Sequence, residues 1–262
     1  MVDEPHLRTY MHRVLLGPSA LGPFQPHPPR RAVDGGVILL AGEPPGPEFR
    51  HVLVIGPEPA ERVFALAAEF FGSPAAPGEP QGFTVELEVE SAPAVDAALR
   101  ARGWQLVEEE PALVLAPVPE VVPSPPPGLD VRRVADEEGL AHARALSHHG
   151  ARQIPSLAAA TAPGVALFVG YVHGRPVATS RVVCYGDART TPGKVADVTG
   201  VVTAPEHRRR GYGTALTWAT VAEAAALGCA AVVLTATAMG YPVYSKMGFV
   251  PVSTYRTYAP PE

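Results

Sequence analysis

Residues 197–227 place a strand, a basic glycine-bearing turn and a helix in immediate succession. Asp197-Val198-Thr199-Gly200-Val201-Val202-Thr203 is apolar and β-branched and reads as a strand. Pro205-Glu206-His207-Arg208-Arg209-Arg210-Gly211-Tyr212-Gly213-Thr214 follows as a basic turn with two glycines. Ala215 to Leu227 is alanine-rich, with Ala215, Ala219, Ala222 and Ala226 on one helical face. A helix entered this way presents N–H groups that have no acceptor inside the helix, together with the positive end of its dipole. That combination is an anion site. Gly211 and Gly213 open backbone angles closed to other residues and let a ligand approach the main chain. Arg208, Arg209 and Arg210 add charge and forked donors. The plain alternative is a basic surface turn before a glycine-capped helix.

Two common phosphate cradles do not fit. No Gly-Lys-Ser/Thr ending is present, and Leu216 stands where the dinucleotide fingerprint needs a third glycine. Arg208-Arg209-Arg210-Gly211-Tyr212-Gly213 resembles instead the Arg/Gln-x-x-Gly-x-Gly/Ala acyl-CoA motif of the GNAT superfamily of N-acyltransferases. Tyr244-Ser245-Lys246-Met247-Gly248-Phe249, after the apolar strand Ala230 to Thr235, resembles that family's helix-to-strand segment. The resemblance implies acyl transfer from acetyl-CoA to an amine, with Arg208 to Thr214 holding the cofactor through backbone N–H groups. It implies that Val201, Val202 and Thr203 align the pantetheine arm, the Val202 N–H facing the developing oxyanion. Thr237 matches a cofactor-touching position, and Tyr244 matches the general acid. The alternative for Tyr244 is a half-buried core tyrosine.

A protonated amine must also lose a proton. Asp197 is the candidate base, on one strand face with Thr199 and Val201; a structural salt bridge is the equal alternative. His148 and His149 end the first helix of the C-terminal half and read as caps or as the border of an acceptor pocket. That pocket is expected in residues 147–164 and 186–194, and its acceptor, a small molecule or a peptide, is not legible.

Residues 116–129, with prolines at 117, 119, 123, 125, 126 and 127, read as a semi-rigid linker between two halves. The expected fold is α/β with a mixed sheet, the GNAT fold in tandem. Residues 130–262 are the catalytic domain and 1–115 a degenerate copy. In the C-terminal half, strands are expected at 129–134, 165–172, 176–185, 195–203 and 249–258, with a helix at 136–147. In the N-terminal half, strands are expected at 37–40, 51–55, 83–90, 104–107 and 112–115, helices at 59–71 and 91–102, and a loop at 17–29. The 83–90 strand alternates strictly, so one face should be wet and acidic. Leu99-Arg100-Ala101-Arg102-Gly103-Trp104 parallels Tyr244 to Phe249, but leucine cannot donate a proton and residues 58–64 carry no cradle. An unrelated small α/β domain is the alternative for this half.

Charge follows the division. Residues 1–115 hold 8 arginines against 16 acids, whereas residues 130–262 hold 13 Lys/Arg against 9 acids, so the basic half carries the proposed anion site. A nucleic-acid role is disfavoured: the arginine cluster is short, lacks an aromatic platform, and sits in a chain of net charge −5. No apolar run approaches the ~20 residues of a membrane span and no signal pattern opens the chain, so a cytoplasmic location is expected. Cys184 and Cys229 offer neither a disulfide framework nor a metal spacing and read as inert core thiols; no metal is expected. Two further functions compete with the enzyme: a non-catalytic acyl-CoA-binding regulatory module, and a partner-binding protein whose acidic half is a docking surface.

Overall fold

The structure, a computed structural model, describes residues 7–12, 30–41, 50–72, 82–147, 156–186 and 193–261. The expected loop at 17–29, the pair His148 and His149, and much of both expected acceptor loops (148–155 and 187–192) lie outside the described residues. The chain forms two compact units whose limits differ from the sequence division. One, the cradle unit, takes residues 113–252 together with the helical residues 7–12; the other, the companion unit, takes 25–112 and 253–262.

In the cradle unit, strands β6 (Asp130–Arg133), β7 (Val165–Val172), β8 (Arg175–Tyr185) and β9 (Val195–Thr203) pair antiparallel in succession. Strand β10 (Ala231–Thr235) adds parallel to β9. His173 and Gly174, both at positive φ, turn β7 into β8. Helix α5 (Tyr212–Ala226) covers one sheet face, where Leu216, Val221 and Ala224 meet Val182, Ala196, Val198 and Val232. Helices α3 (Glu137–Leu146) and α4 (Leu157–Ala160) cover the other, packing Leu140, Ala143 and Ala160 on Leu167, Val169 and Tyr171. Asp136 caps α3 by accepting from the Gly139 N–H at 2.8 Å. α4 has no sequence expectation; its Ser156 cap and apolar Leu157–Ala160 make a single turn too short for a period to show.

The proline-rich segment 116–129 falls within the cradle unit, with the change of unit at 112/113 rather than at 116–129. Its apolar side chains explain this: Val118 and Val122 pack on the core and Leu129 is buried in it, so the segment is laid down as a strap.

In the companion unit, β1 (Arg30–Asp34), β2 (Val37–Ala41) and β3 (Arg50–Val54) are antiparallel and β4 (Thr84–Glu88) adds parallel to β3. β1 is absent from the sequence reading because Arg30-Arg31-Ala32-Val33-Asp34 lacks an alternating pattern; pairing on β2 makes it a strand. Helices α1 (Ala60–Phe71) and α2 (Pro93–Ala101) pack Val63, Ala67, Val95 and Leu99 on Val85 and Leu87. The strands expected at 104–107 and 112–115 are one strand, β5 (Gln105–Leu115), which passes through Pro111. The face of β4 expected to be wet is covered at Glu88, which is fully buried and takes a hydrogen bond from the Ser91 hydroxyl, while Thr84 and Glu86 stay partly exposed and Glu90, just past the strand, is exposed. The Glu86 carboxyl is pushed up to about 7, by burial first and then by Glu108 and Glu110.

Each unit is completed by chain from the other end of the sequence. Leu113, fully buried, belongs to the cradle core. The distal part of β11 (Val250–Ala259) pairs antiparallel with β4, Tyr255 opposite Glu88 and Tyr258 opposite Val85. Tyr258 is fully buried in the companion core and its hydroxyl donates to Asp96 Oδ1 at 2.5 Å. Arg256 Nη1 and Arg100 Nε also reach Asp96, at 3.0 and 3.2 Å, so the carboxylate keeps partners when the phenol is lost. Tyr258→Phe is therefore expected to cost about 1–2 kcal/mol, read as a fall of a few degrees in Tm by calorimetry. An unchanged Tm would place the hold of β11 in its backbone ladder alone.

Candidate functional site

The site begins with where β9 loses a neighbour. β9 pairs with β8 along its length, from Tyr185↔Val195 to Ala178↔Thr203. On its other side it pairs with β10 only at Ala231↔Val195, Val232↔Ala196 and Val233↔Asp197. Beyond Asp197 the two parallel strands part, and Val198–Thr203 keep a free ladder edge toward β10. An extended ligand arm can pair with such an edge as a strand would.

A bulge lies within that edge. Gly200 has φ +61°, and the register against β8 shifts between Thr179 and Arg181, so Gly200 and Val201 together face Ser180. The extra residue changes the parity of the strand. Asp197 and Thr199 share a face with Arg181, but Val201 turns to the α5 side and packs on the core there. The expected common face of Asp197, Thr199 and Val201 is thus broken at Gly200. The ladder also fixes which amides face the gap. Ala204 donates to the Val177 carbonyl at 2.9 Å, so by alternation the Val202 N–H points to β8 while those of Thr203 and Val201 point to the open edge. The amides on the open edge are then those of Val201 and Thr203, and that of Val202 faces β8.

After Thr203 the chain makes a short 3-10 turn, Pro205–His207, then crosses Arg208–Arg210 into α5. Arg209 and Gly211 both take left-handed angles, φ +60° and +80°. The first α5 bond runs from the Ala215 N–H to the Gly211 carbonyl at 2.9 Å, which leaves the N–H groups of Tyr212, Gly213 and Thr214 ahead of the helix ladder. Gly213 lies against β9: a methyl group there would sit 3.4 Å from Thr203 Oγ1 and 3.9 Å from Val201 Cγ1. Arg208 Nε donates to the Thr203 carbonyl at 3.2 Å and Arg210 Nη2 to the Glu206 carbonyl at 3.3 Å. Arg208, Arg209 and Arg210 are all exposed, available to phosphate without desolvation. The Tyr212 ring is buried in the core, so its contribution to an anion is its backbone N–H.

Because β9 and β10 are parallel, the turn after β10 lies at the same end as the cradle, where open α/β sheets bind ligands. There Thr237 Oγ1 and its carbonyl accept from the Gly240 N–H, at 3.2 and 2.9 Å, closing a turn into helix α6 (Tyr241–Lys246). Tyr244 projects from α6, half-buried, with its ring edge-on to Phe249 at 5.9 Å. Gly240 is small because of it: a methyl group there would meet Tyr244 Cε2 at 2.9 Å.

Asp197 keeps some exposed area, while its carboxyl is densely surrounded by protein. Burial pushes its pKa up to about 6 and the nearby Arg181 guanidinium opposes the rise. Arg181, itself largely buried, donates from Nε to Thr199 Oγ1 at 3.0 Å. Tyr185 shares this environment; burial, then the Asp197 charge, push its phenol up. Arg181 and Gly200 have no place in the sequence reading. A lone glycine inside a strand was the available signal for the bulge; nothing in the sequence places Arg181 beside Asp197.

The companion unit repeats the plan without the site. The Trp104 N–H bonds to the Leu99 carbonyl at 3.0 Å as the Phe249 N–H does to that of Tyr244 at 3.1 Å, with Gly103 and Gly248 both at positive φ. Leu99 is fully buried. Where β3 enters α1, Glu58 accepts from the Gly36 N–H at 2.8 Å and pairs with Arg62. The Gly36 bond, with Arg62, holds its carboxyl below the usual range despite partial burial. The residues joining β3 to α1 thus carry a carboxylate and no arginine, whereas those joining β9 to α5 carry three arginines.

Residues 134–249 match the sequence model of the acetyltransferase (GNAT) family. Solved structures resemble the whole chain. A GCN5-related N-acetyltransferase from Kribbella flavida is 20% identical over 100% of this chain and 96% of its own, at TM-score 0.67. A tandem GNAT protein from the clavulanic acid biosynthesis pathway is 16% identical over 98% and 95%, at TM-score 0.59. A putative GNAT acetyltransferase from Novosphingobium aromaticivorans is 19% identical over 94% and 97%, at TM-score 0.53. No curated protein sequence matches the chain. The chain has the GNAT fold along its length, and its residues 134–249 carry the sequence pattern of the acetyltransferase (GNAT) family.

Proposed function

We propose that the protein is an N-acyltransferase that moves an acetyl group from acetyl-CoA to an amine of a small molecule or peptide, with its active site in residues 130–262. The observation that carries this is the parting of β9 and β10 with the N-terminus of α5 at its mouth. The gap accepts an extended amide-bearing arm on the free edge of Val201 and Thr203. The N–H groups of Tyr212, Gly213 and Thr214, with Arg208, Arg209 and Arg210, take a pyrophosphate. Thr237 retains a hydroxyl proton to donate while its oxygen closes the turn.

Asp197 takes a proton from the acceptor ammonium, directly or through one water, and a base with pKa about 6 is ionised at neutral pH. The amine nitrogen bonds to the thioester carbonyl carbon, the carbon–sulfur bond breaks, and the Tyr244 hydroxyl donates to the departing sulfur. No metal-holding group of side chains occurs among the described residues. No described helix is long and apolar enough to cross a membrane, and the arginines are committed to the cradle rather than to nucleic acid. We place the protein in the cytoplasm, where acyl-CoA is available.

Tyr244→Phe keeps the ring on Phe249 and removes only the hydroxyl. A thiolate departs without full protonation, so the expected loss in kcat is on the order of 10–100-fold, at the low end of general acid catalysis. Acetyl-CoA affinity should stay within about twofold, because the hydroxyl holds no phosphate. The measurement is thiol release with an amine panel, alongside binding calorimetry. A non-catalytic acyl-CoA-binding module predicts binding without thiol release from any amine. Tyr244, which a binder does not need, favours the enzyme.

A further inference from the structure

The site uses neither cysteine, yet the fold brings them together. Cys184, on β8, and Cys229, in the turn between α5 and β10, lie 45 residues apart with their Sγ atoms 3.4 Å apart, within S–H···S distance. Both are free thiols. Their backbones are held. The Cys184 N–H bonds to the Gly164 carbonyl at 2.7 Å and the Cys229 N–H to the Ala224 carbonyl at 2.9 Å. The Lys194 ammonium is fixed beside them by its bond to the Leu227 carbonyl at 3.1 Å. Cys184 is half-buried and Cys229 nearly buried, so a small oxidant reaches the pair while a large one does not.

We propose that Cys184 and Cys229 form an oxidisable dithiol that hydrogen peroxide closes into an intramolecular disulfide. The shared hydrogen bond lowers the pKa of Cys229 and raises that of Cys184, and Lys194 favours the Cys229 thiolate further. The Cys229 thiolate attacks one peroxide oxygen, the O–O bond breaks, and the departing oxygen is protonated to water, which leaves a sulfenic acid. The Cys184 sulfur then attacks the Cys229 sulfur, the S–O bond breaks, and the Cys184 proton leaves with the hydroxyl as a second water. Two thiols are oxidised by two electrons and one peroxide is reduced to two waters.

The bond would tie β8 to the α5–β10 connection across β9, at the end where β9 and β10 are still paired. Cys184 is opposite Ala196, one step from the Val183↔Asp197 pair, so the staple closes the base of the gap rather than its mouth. The reduced and oxidised states should differ most in resistance to unfolding.

The test treats the folded full-length protein with hydrogen peroxide and then counts thiols in denaturant and weighs the intact chain. The expected result is loss of both thiols from a monomer with a mass fall of about 2 Da, restored by dithiothreitol. Tm should rise on the order of 5–10 °C on oxidation. Cys184→Ala, treated alike, should show no mass fall and no rise in Tm. Two surviving thiols, a gain of about 16 Da or more on wild-type cysteine, or a dimer joined through sulfur each overturns the proposal. None of these outcomes depends on the acyl acceptor or on acyl transfer.

Discussion

Gly211→Glu is expected to abolish measurable acetyl-CoA binding in a protein that still folds. Gly211 has φ +80° and ψ 5° and stands as the N-cap of α5. A side chain there emerges beside the N–H groups of Tyr212, Gly213 and Thr214, and a carboxylate on it caps those donors itself. A pyrophosphate then loses its donors and meets a like charge. Losing about two charge-assisted hydrogen bonds at ~1.5–3 kcal/mol each raises Kd on the order of 10²–10⁴-fold. The left-handed backbone costs any L-residue about 1–2 kcal/mol, and the nearest obstacle, Pro126 Cγ at 3.5 Å from the new Cβ, is ordinary contact. Gly211→Ala bears that strain without the charge and should keep affinity within about tenfold. Gly213→Glu, whose Cβ is pressed against Thr203 Oγ1 at 3.4 Å, should resemble Gly211→Glu. Binding calorimetry with circular dichroism reads both quantities. Wild-type affinity in a folded Gly211→Glu protein would remove the α5 N-terminus from the cofactor site.

The cradle was legible because its chemistry is local: arginines, glycines and a strand-to-helix switch stand within a dozen consecutive residues. Tyr244 was legible through Gly248 and Phe249, a short motif whose backbone bonds recur at Leu99, Gly103 and Trp104. What a sequence pattern carries poorly is anything set by pairing. Gly200 shifts the parity of β9, and only the register against β8 shows that Val201 and Asp197 point to opposite faces. The pKa of Asp197 is raised by burial against the opposing charge of Arg181, sixteen residues away across a hairpin. The burial of Glu88 on the acidic face of β4 was illegible because alternation reports one buried face and is silent on where the other is covered. The exchange of Leu113 and Ser253–Ala259 between units was illegible for a similar reason: an apolar strand does not state which sheet it completes. That exchange has a practical consequence. A chain cut within 116–129 strips Leu113 from the cradle core and Tyr258 from the companion core, so the halves are properly tested together, by substitution.

Asp197→Asn carries the largest expected loss in rate. The amide keeps the size of the carboxyl and one acceptor oxygen and removes its basicity. General base catalysis contributes typically ~10²–10⁴-fold, and kcat/KM with the amine should fall by that order while acetyl-CoA affinity holds. The wild-type profile should rise with pH through about 6, where Asp197 ionises, and the variant should lose that limb, leaving only the amine's own deprotonation. Stability supplies an independent reading. The folded-state pKa, about 6, lies above the ordinary value of 3.8, so the folded protein binds more protons than the unfolded chain between these values. Ionising Asp197 therefore costs stability progressively as pH rises from about 4 to about 6, and the full cost persists at pH 7. Asparagine bears no such cost. The Tm of Asp197→Asn relative to wild type should shift in the variant's favour between pH 4 and pH 7, as activity is lost. A residue kept for a structural salt bridge with Arg181 gives the opposite sign, because its ionised form would be the stabilising one. A variant that loses stability relative to wild type as pH rises, with kcat/KM intact, assigns Asp197 to the scaffold and the base to another group.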